Sequence, residues 1–395
     1  MTRIGMVLDA PFPPDYRVEK EAITLIEAGF EVYLFCLHYE NRLEEAEHKG
    51  IHLRRYPFNK LEYKLSALAY TVPFYRLFMA PKIRDFIWRN SVDVLHIHDM
   101  VIAEAAIGAA RKSDCRIVLD LHENRPAIMK EYRHLNKFPG KYLIDLDTWK
   151  RKQDELVAKA DKVVVVTELA KNELVASARK SPDDIAVVPN TPSLTFLDQP
   201  IDDNIVKRMR GTFNLLYIGD TSERRGTADA LQLIHAIKDE IPTVRLWLVG
   251  KSSFDEDLIR LAGELHINEY VQFEGWQPES SFPGYISGAH VCLSPLKRNP
   301  HHDTTYANKV FQYMAMGRAT VVSDCTAQAE LVTNENAGLV YPANSADAFR
   351  EAVIKLCRDE DLRNRLGDNG RLAVTREWNW QNTSKQLVKI HQGLV

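Results

Sequence analysis

The sequence predicts an α/β protein built from two doubly wound parallel sheets. Three observations carry that prediction. Apolar strand-like runs alternate with amphipathic helical runs along the chain, as successive β–α units require. The series starts twice, at Arg3–Leu8 and at Phe213, and between the starts lie Pro189-Asn190-Thr191-Pro192 and the polar stretch 200–204. Finally, 395 residues are too many for one ordinary core and suit two. The expected division is 1–195 together with 378–395, and 196–377. Sheets of this kind bind ligands outside the carboxyl ends of their strands, so a central cleft faced by both domains is the expected site.

Bulk properties narrow the function classes. Hydrophobic residues at 45% and charged residues at 27% suit a globular enzyme rather than a disordered chain. A net charge of −3 gives no field for nucleic acid, so no nucleic-acid partner is expected. The five cysteines are scattered without a C-x-x-C pair, which favours a reducing compartment. Ile4–Leu8 is too short an apolar run for a signal peptide, and no run nears the roughly 18 residues that span a bilayer. A cytoplasmic location follows as the expectation.

In the first half, Arg3–Leu8 reads as a buried strand leading into the proline-rich loop Pro11, Pro13, Pro14. Asp15 caps a helix starting near Arg17, with Ala22, Leu25 and Ile26 apolar and Gly29 as stop. Phe30–Leu37 and Ile51–Tyr56 read as the next strands. No G-x-G-x-x-G fingerprint follows the first strand, which argues against a dinucleotide site there. Between Asn59 and Asn90, Lys60, Lys64, Arg76, Lys82, Arg84 and Arg89 interleave with aromatic and leucine residues, among them Tyr63, Leu65, Tyr70, Phe74, Tyr75, Leu77, Phe78, Phe86 and Trp88. That mixture suits either an anionic membrane surface or a core-covering helix pair broken near Pro73 and Pro81.

Val92–Asp99 (VDVLHIHD) is a strand whose alternation sends His96 and His98 to one face. An H-x-H pair can hold a metal, but no third ligand stands at a convincing spacing, and no metal is expected. The next strand, Arg116–Leu121, ends in His122-Glu123. Two consecutive strands thus bring His98, Asp99, His122 and Glu123 to one rim, a place for titratable groups that face a ligand. Leu143–Ala160 reads as a long helix, Asp161–Val166 as a strand, Thr167 as an N-cap, and Ile185–Val188 as a strand.

In the second half, Leu215–Ile218 turns through Gly219-Asp220-Thr221-Ser222-Glu223-Arg224-Arg225-Gly226 into a helix. Glycines with adjacent arginines at a βα turn suit a phosphate clamp, because Arg is always charged and bidentate. Leu246–Val249 ends at Gly250-Lys251, and Val271–Gln277 is another strand and loop. The stretch His302–Asp324 then reads as a polar loop, an amphipathic helix carrying Val310, Phe311, Met314 and Ala315, a stop at Gly317, and the strand Ala319–Val322. Thr304, Thr305 and Asn308 stand where helix caps stand. The free amides Tyr306–Lys309 at the helix start suit a diphosphate, with Gln312 one turn inside.

The segment Asn-Lys-Val-Phe-Gln-Tyr-Met-Ala-Met-Gly, with Glu330 further on, resembles the donor-binding segment of family 4 (group 1) glycosyltransferases of the GT-B fold, two Rossmann-like domains facing a cleft. DVLHIHD, LDLHEN and the loop Pro-Pro-Asp-Tyr-Arg-Val-Glu resemble the first-domain motifs of its polysaccharide- and glycolipid-building members. The resemblance runs over essentially the whole chain and implies that the last helix, from Trp378, crosses back onto the first domain. His122 falls on the family's active-site histidine, Arg225 on its basic residue before the second glycine, and Trp276-Gln277 on its base-contacting segment. Two departures stand out. The family's pair of glutamates is here Thr304 and Gln312, and its basic residue after the first glycine is Asp220, a charge that Lys251 is expected to replace.

The resemblance implies a retaining, metal-independent transfer of a hexosyl group from a nucleotide diphosphate sugar to a hydroxyl of a glycan or lipid-linked acceptor, without a cofactor, and the basic–aromatic segment 59–90 adds, in its membrane reading, a contact at the inner face of the membrane. The expected catalytic residues are His122, Arg225 and Lys251. Donor contacts are expected from Gly219, Arg225, Lys251, Trp276, Gln277, Thr304, Thr305, Tyr306, Ala307, Asn308, Lys309 and Gln312. Acceptor contacts are expected from Asp15, Arg17, His98, Asp99 and Glu123. Two alternatives compete: a nucleotide-sugar 2-epimerase, and a nucleotide-sugar-binding protein that has lost turnover along with the motif glutamates.

Overall fold

The structure, a computed structural model, describes residues 1–40, 43–59, 62, 66, 68–111, 113–131 and 145–394. Lys60, Tyr63, Lys64 and Leu65 of the basic–aromatic segment, and Leu143, lie outside these. The chain divides into two compact units, Met1–Pro189 with Thr383–Val395, and Asn190–Asn382.

The first unit holds an eight-stranded sheet. Its strands are β1 (Arg3–Val7), β2 (Glu31–His38), β3 (Glu44–His48), β4 (Ile51–Pro57), β5 (Val94–His98), β6 (Arg116–Leu121), β7 (Lys162–Val165) and β8 (Ile185–Val187). Their order is β3-β4-β2-β1-β5-β6-β7-β8, and only β3 runs antiparallel to its neighbour. The chain reverses its direction of winding between β1 and β5, so a crevice opens where those strands end. β3 escapes sequence reading because Glu-Glu-Ala-Glu-His has no apolar alternation. It is set instead by the two-residue turn Lys49-Gly50, whose φ values of 52° and 80° match the twist a tight hairpin needs.

The helix Tyr16–Glu27 starts at Asp15, whose carboxylate accepts from the amides of Arg17 and Val18 at 3.2 and 3.0 Å. The helix Phe74–Asn90 runs unbroken through Pro81, against the expected break there. The bond Pro81 cannot donate would reach Leu77, which is exposed, so water can replace it. Tyr75, Met79, Ile83, Phe86 and Ile87 from this helix are buried with Phe35, Leu95 and Ile97, while Phe74, Leu77, Phe78 and Trp88 stay exposed. Near the chain's end, the helix Lys385–Gln392 packs on Tyr16–Glu27 and β8.

The second unit holds six parallel strands: β9 (Phe213–Ile218), β10 (Val244–Val249), β11 (Val271–Gly275), β12 (Val291–Ser294), β13 (Thr320–Ser323) and β14 (Gly338–Tyr341). The order is β11-β10-β9-β12-β13-β14, which puts the reversal between β9 and β12. The helix Asn308–Ala315 buries Val310, Phe311, Tyr313, Met314 and Ala315, and Gly317 follows at φ 66°. Thr304 and Thr305 do not cap it. Thr304 ends a short preceding helix, Pro300–Thr304, and both hydroxyls donate back to carbonyls of Pro300 or His301. The cap position is Ala307, which has no side chain to offer.

Candidate functional site

At the β1/β5 crevice of the first unit the sequence's polar strand ends become a buried ionic cluster. Arg17, on the helix Tyr16–Glu27, turns inward rather than toward solvent. Its Nη2 donates to Asp120 Oδ1 at 2.9 Å and its Nε stands 2.8 Å from Glu21 Oε1. From β5, His96 Nε2 faces Asp120 Oδ2 at 3.4 Å and Glu21 Oε2 at 3.7 Å. His98 Nδ1 lies 3.6 Å from Asp120 Oδ2 and 4.0 Å from Glu21 Oε2. His122 Nε2 is 3.1 Å from both Asp120 Oδ2 and His98 Nδ1, at the half-buried mouth of the cluster. Asp99 sits at φ 62° and accepts from the His122 amide at 3.2 Å, and Glu123 is paired with Arg125. Glu21 and Asp120 were not singled out in the sequence. Glu21 reads there as an ordinary helix residue, and Asp120 as an interruption in an apolar strand.

The charges in this cluster are strongly coupled. Burial and the Arg17 guanidinium push the His122 imidazole down, but Asp120 and Asp99 outweigh them and hold it up at about 9. Burial works upward on Asp120, yet Arg17 and His122 keep it well below the usual carboxylate range. Burial, then the Asp120 charge, pushes Glu21 up. Burial pushes His96 and His98 down to about 4, against the pull of Asp120. Asp120 and Asp99 thus favour the protonated form of His122, which can donate. Glu21, His96, His98 and Asp120 each offer one ligand atom within 4.8 Å of the others, where the sequence offered only the H-x-H pair.

In the second unit the loop Gly219–Gly226 after β9 meets the loop after β12. A Cβ on Gly226, at φ 71°, would stand 1.6 Å from Pro295 O, so only glycine lets the two loops touch. Asp220 folds the first loop by accepting from Ser222 N at 3.0 Å and Oγ at 2.7 Å. It also holds Arg224 Nη2 at 3.3 Å and Arg225 Nε at 3.6 Å. Arg224 Nη1 donates to His302 Nε2 at 3.2 Å, while His302 Nδ1 donates to Lys297 O at 2.7 Å, which defines a neutral imidazole.

Beneath this loop lies Lys309. Its side chain is almost wholly buried, its Nζ has no hydrogen-bond partner among the described residues, and it sits 3.5 Å from the centre of the Tyr217 ring. The same Nζ is 3.4 Å from where a Cβ on Gly219 would be. Burial, then the Arg225 charge, pushes this amine well below its usual range, with Asp220 acting the other way. Lys309 thus stands at the loop start where the basic residue replaced by Asp220 was expected, a position assigned in sequence to Lys251.

Lys251 instead lines a cavity of about 460 Å³ with Thr221, Ile259, Phe273 and Trp276. Trp276 is 72% exposed and Ile259 53%, an uncovered apolar floor beside polar walls. Gln277 Nε2 donates to Glu274 O at 2.9 Å. Gln312 Nε2 donates to Glu279 Oε1 at 2.9 Å, so a carboxylate stands beside the position that lacks one. Tyr306 stacks edge-on against Phe311 and Trp378, and the first-turn amides of Asn308 and Lys309 have no partner within the helix.

Two family models match the chain: Glycosyltransferase Family 4 over residues 17–193 and Glycosyl transferases group 1 over residues 212–359. An uncharacterised glycosyltransferase of Methanocaldococcus jannaschii is 19% identical over 377 residues, 93% of this chain and 91% of that protein. A phosphatidyl-myo-inositol mannosyltransferase of Mycolicibacterium smegmatis is 23% identical over 313 residues, 79% of this chain and 74% of that one. Among solved structures, sucrose-phosphate synthase from Thermosynechococcus elongatus has a TM-score of 0.80 at 18% identity, covering 100% of this chain and 99% of that chain. Anabaena HepE, solved with UDP, has a TM-score of 0.74 at 12% identity, covering 100% of both chains.

Proposed function

The chain belongs to the family 4, group 1 glycosyltransferases of the GT-B fold, and from that premise we propose that it transfers a hexosyl group from a nucleotide diphosphate sugar to a hydroxyl of a glycan or lipid-linked acceptor, with retention and without a cofactor. One observation supports this most: a buried amine, Lys309, at the β9/β12 reversal beside Arg225, with no hydrogen-bond partner among the described residues. Charging this buried amine is costly while the site is empty, and a diphosphate between the loop and the first-turn amides removes that cost. The base then lies in the cavity floored by Ile259, Phe273 and Trp276, and the ribose hydroxyls meet the Gln312–Glu279 pair. As the glycosidic bond to phosphate breaks, Lys309, Arg225 and the amides of Asn308 and Lys309 stabilise charge developing on the diphosphate. The leaving phosphate takes the acceptor proton. In this reading Asp15 caps and Arg17 braces, whereas Asp99, His122 and Glu123 face the acceptor.

The acceptor's setting is proposed from the helix Phe74–Asn90. Phe74, Leu77 and Phe78 are 52%, 57% and 45% exposed on one face. Beside them a cavity of about 350 Å³ is lined by Arg76, Arg84, Arg111 and Lys159 over Leu77, Ile107 and Leu156. Apolar tips next to clustered cations suit the anionic cytoplasmic leaflet. Among the described residues no helix is long and apolar enough to cross a membrane.

A second reading, a binder without turnover, is favoured by Asp220, which already occupies the loop arginines. A thermal-shift screen over UDP, GDP, ADP and their sugars finds the donor, because a ligand of the native state raises the midpoint. Turnover with the matching sugar nucleotide and a membrane extract then separates the readings. Acceptor-dependent release of nucleoside diphosphate supports transfer, an altered sugar with its diphosphate intact supports epimerisation, and binding without either supports the degenerate binder.

A further inference from the structure

We propose that Glu21, His96, His98 and Asp120 bind one zinc-type divalent ion inside the first unit, in a closed four-ligand site with a structural role. The four residues come from three elements, the helix Tyr16–Glu27, β5 and β6, and all four are fully buried. A tetrahedral ion with bonds of about 2.0–2.1 Å needs ligand atoms about 3.3–3.4 Å apart. The four distances from His96 Nε2 and His98 Nδ1 to Glu21 Oε2 and Asp120 Oδ2 are 3.4, 3.7, 3.6 and 4.0 Å. Shortening these four by between about 0.1 and 0.7 Å brings them to that spacing.

The hydrogen-bond directions point the same way. His391 Nδ1 donates to Leu387 O at 2.8 Å, which leaves its Nε2 as an acceptor. That atom is 3.1 Å from His96 Nδ1, so His96 carries its proton there and presents a bare Nε2 to the carboxylates. A lone pair on nitrogen then faces Glu21 Oε2 and Asp120 Oδ2, and Glu21 Oε2 has no hydrogen-bond partner at all among the described residues. Asp120 Oδ2 also accepts from His122 Nε2 at 3.1 Å, but His96 Nε2 and Glu21 Oε2 face each other at 3.7 Å with no donor between them, an arrangement that suits a cation.

Arg17 does not fill that position. Its guanidinium lies mainly on the outer oxygens, Glu21 Oε1 at 2.8 Å and Asp120 Oδ1 at 2.9 Å, reaches Asp120 Oδ2 only at 3.3 Å, and leaves Glu21 Oε2 to the centre. It is placed as the residues that orient ligating carboxylates are placed. Imidazole nitrogen with carboxylate oxygen in a four-coordinate cage selects zinc over magnesium or calcium, which demand more oxygens. With all four positions taken by protein, no site remains open for substrate. The ion ties the helix Tyr16–Glu27 to β5 and β6, and it fixes Asp120 against His122. It has no part in the donor reading above and stands or falls separately.

The test uses the full chain and the metal alone. Protein purified without chelator is analysed for zinc, then stripped and titrated with Co²⁺, whose visible spectrum distinguishes four-coordinate from six-coordinate binding. About one equivalent of tightly held zinc and a four-coordinate Co²⁺ spectrum are expected, with Glu21→Gln and His96→Ala each binding at least about tenfold more weakly. The wild-type measurements need neither variant to fold. A stripped, folded wild type that takes up no Co²⁺, a six-coordinate spectrum, or variants that bind as tightly as wild type would overturn the proposal.

Discussion

Lys309 faces two demands that a substitution can separate. Empty, the site holds an amine with no hydrogen-bond partner among the described residues, so Lys309→Met should raise stability by about 1 kcal/mol. Filled, it contributes a charge-assisted contact, so the same change should weaken nucleoside diphosphate binding by roughly 1.5–3 kcal/mol. A variant that loses stability without losing affinity would make Lys309 a structural residue only. Because burial lowers its pKa, diphosphate binding should also draw a proton onto the amine. Calorimetry in buffers of different ionisation enthalpy measures that uptake, and equal heats across buffers would count against it. The sequence exposed Lys309 only as a backbone amide in a helix start. Nothing local reveals that its side chain runs back to Gly219, ninety residues earlier in the chain.

Gln312 makes the same point in reverse. Its mismatch with the family is plain in the sequence, but its partner Glu279 lies 33 residues upstream in a turn with no signal of its own. That partner also changes the expected outcome of restoring the family residue. Gln312→Glu places two carboxylates 2.9 Å apart and should lower kcat/KM, by about 1–2 kcal/mol, as Gln312→Ala does. Adding Glu279→Gln should recover the loss in the first variant and not in the second. Steady-state kinetics with the true donor decides it, and a fully active Gln312→Glu single variant would show that the pair does not hold the ribose.

At the scale of elements, the parallel strands were legible because burial on both faces writes them as apolar runs. Helix starts were legible where a side chain caps them, as at Asp15 and Thr167. Asn308–Ala315 was mis-capped because Thr304 and Thr305 bind their own short helix instead. The helix Phe74–Asn90 was ambiguous in sequence for a physical reason: it serves both readings, with Tyr75 and Phe86 in the core and Phe74, Leu77 and Phe78 outside. If its outer face docks on lipid, the protein should sediment with anionic vesicles at low salt and be released as salt rises. Leu77→Glu with Phe78→Glu should abolish sedimentation and shift the melting point little, since both side chains are exposed. Sedimentation unchanged in that variant would leave the face without a membrane role.

At the scale of the second unit, acid stability follows from two buried imidazoles. Burial pushes His301 down to about 2 and His302 to about 3, whereas an unfolded histidine titrates near 6.5. Both pKa values are depressed on folding, so the unfolded chain takes up protons that the native one refuses. Stability from these groups is whole above about pH 6.5 and is lost as pH falls below it, by about 1.4 kcal/mol per unit for each histidine. Chemical denaturation at pH 7 and 5 should therefore show a shallower loss for His301→Leu than for wild type, and parallel slopes would refute it.

The sheet margins have a consequence for how the protein behaves in concentrated solution. The outermost strands are short: five residues in β3 and β11, four in β14 and three in β8. β3 moreover carries Glu44, Glu45 and Glu47, and a second copy approaching that margin would set glutamates against glutamates. The strand that the hydrophobic pattern could not announce is thus charged in the way that keeps one sheet from extending into the next. Replacing Glu45 and Glu47 with valine should leave the fold intact and turn a dispersed protein into one whose light scattering climbs with concentration.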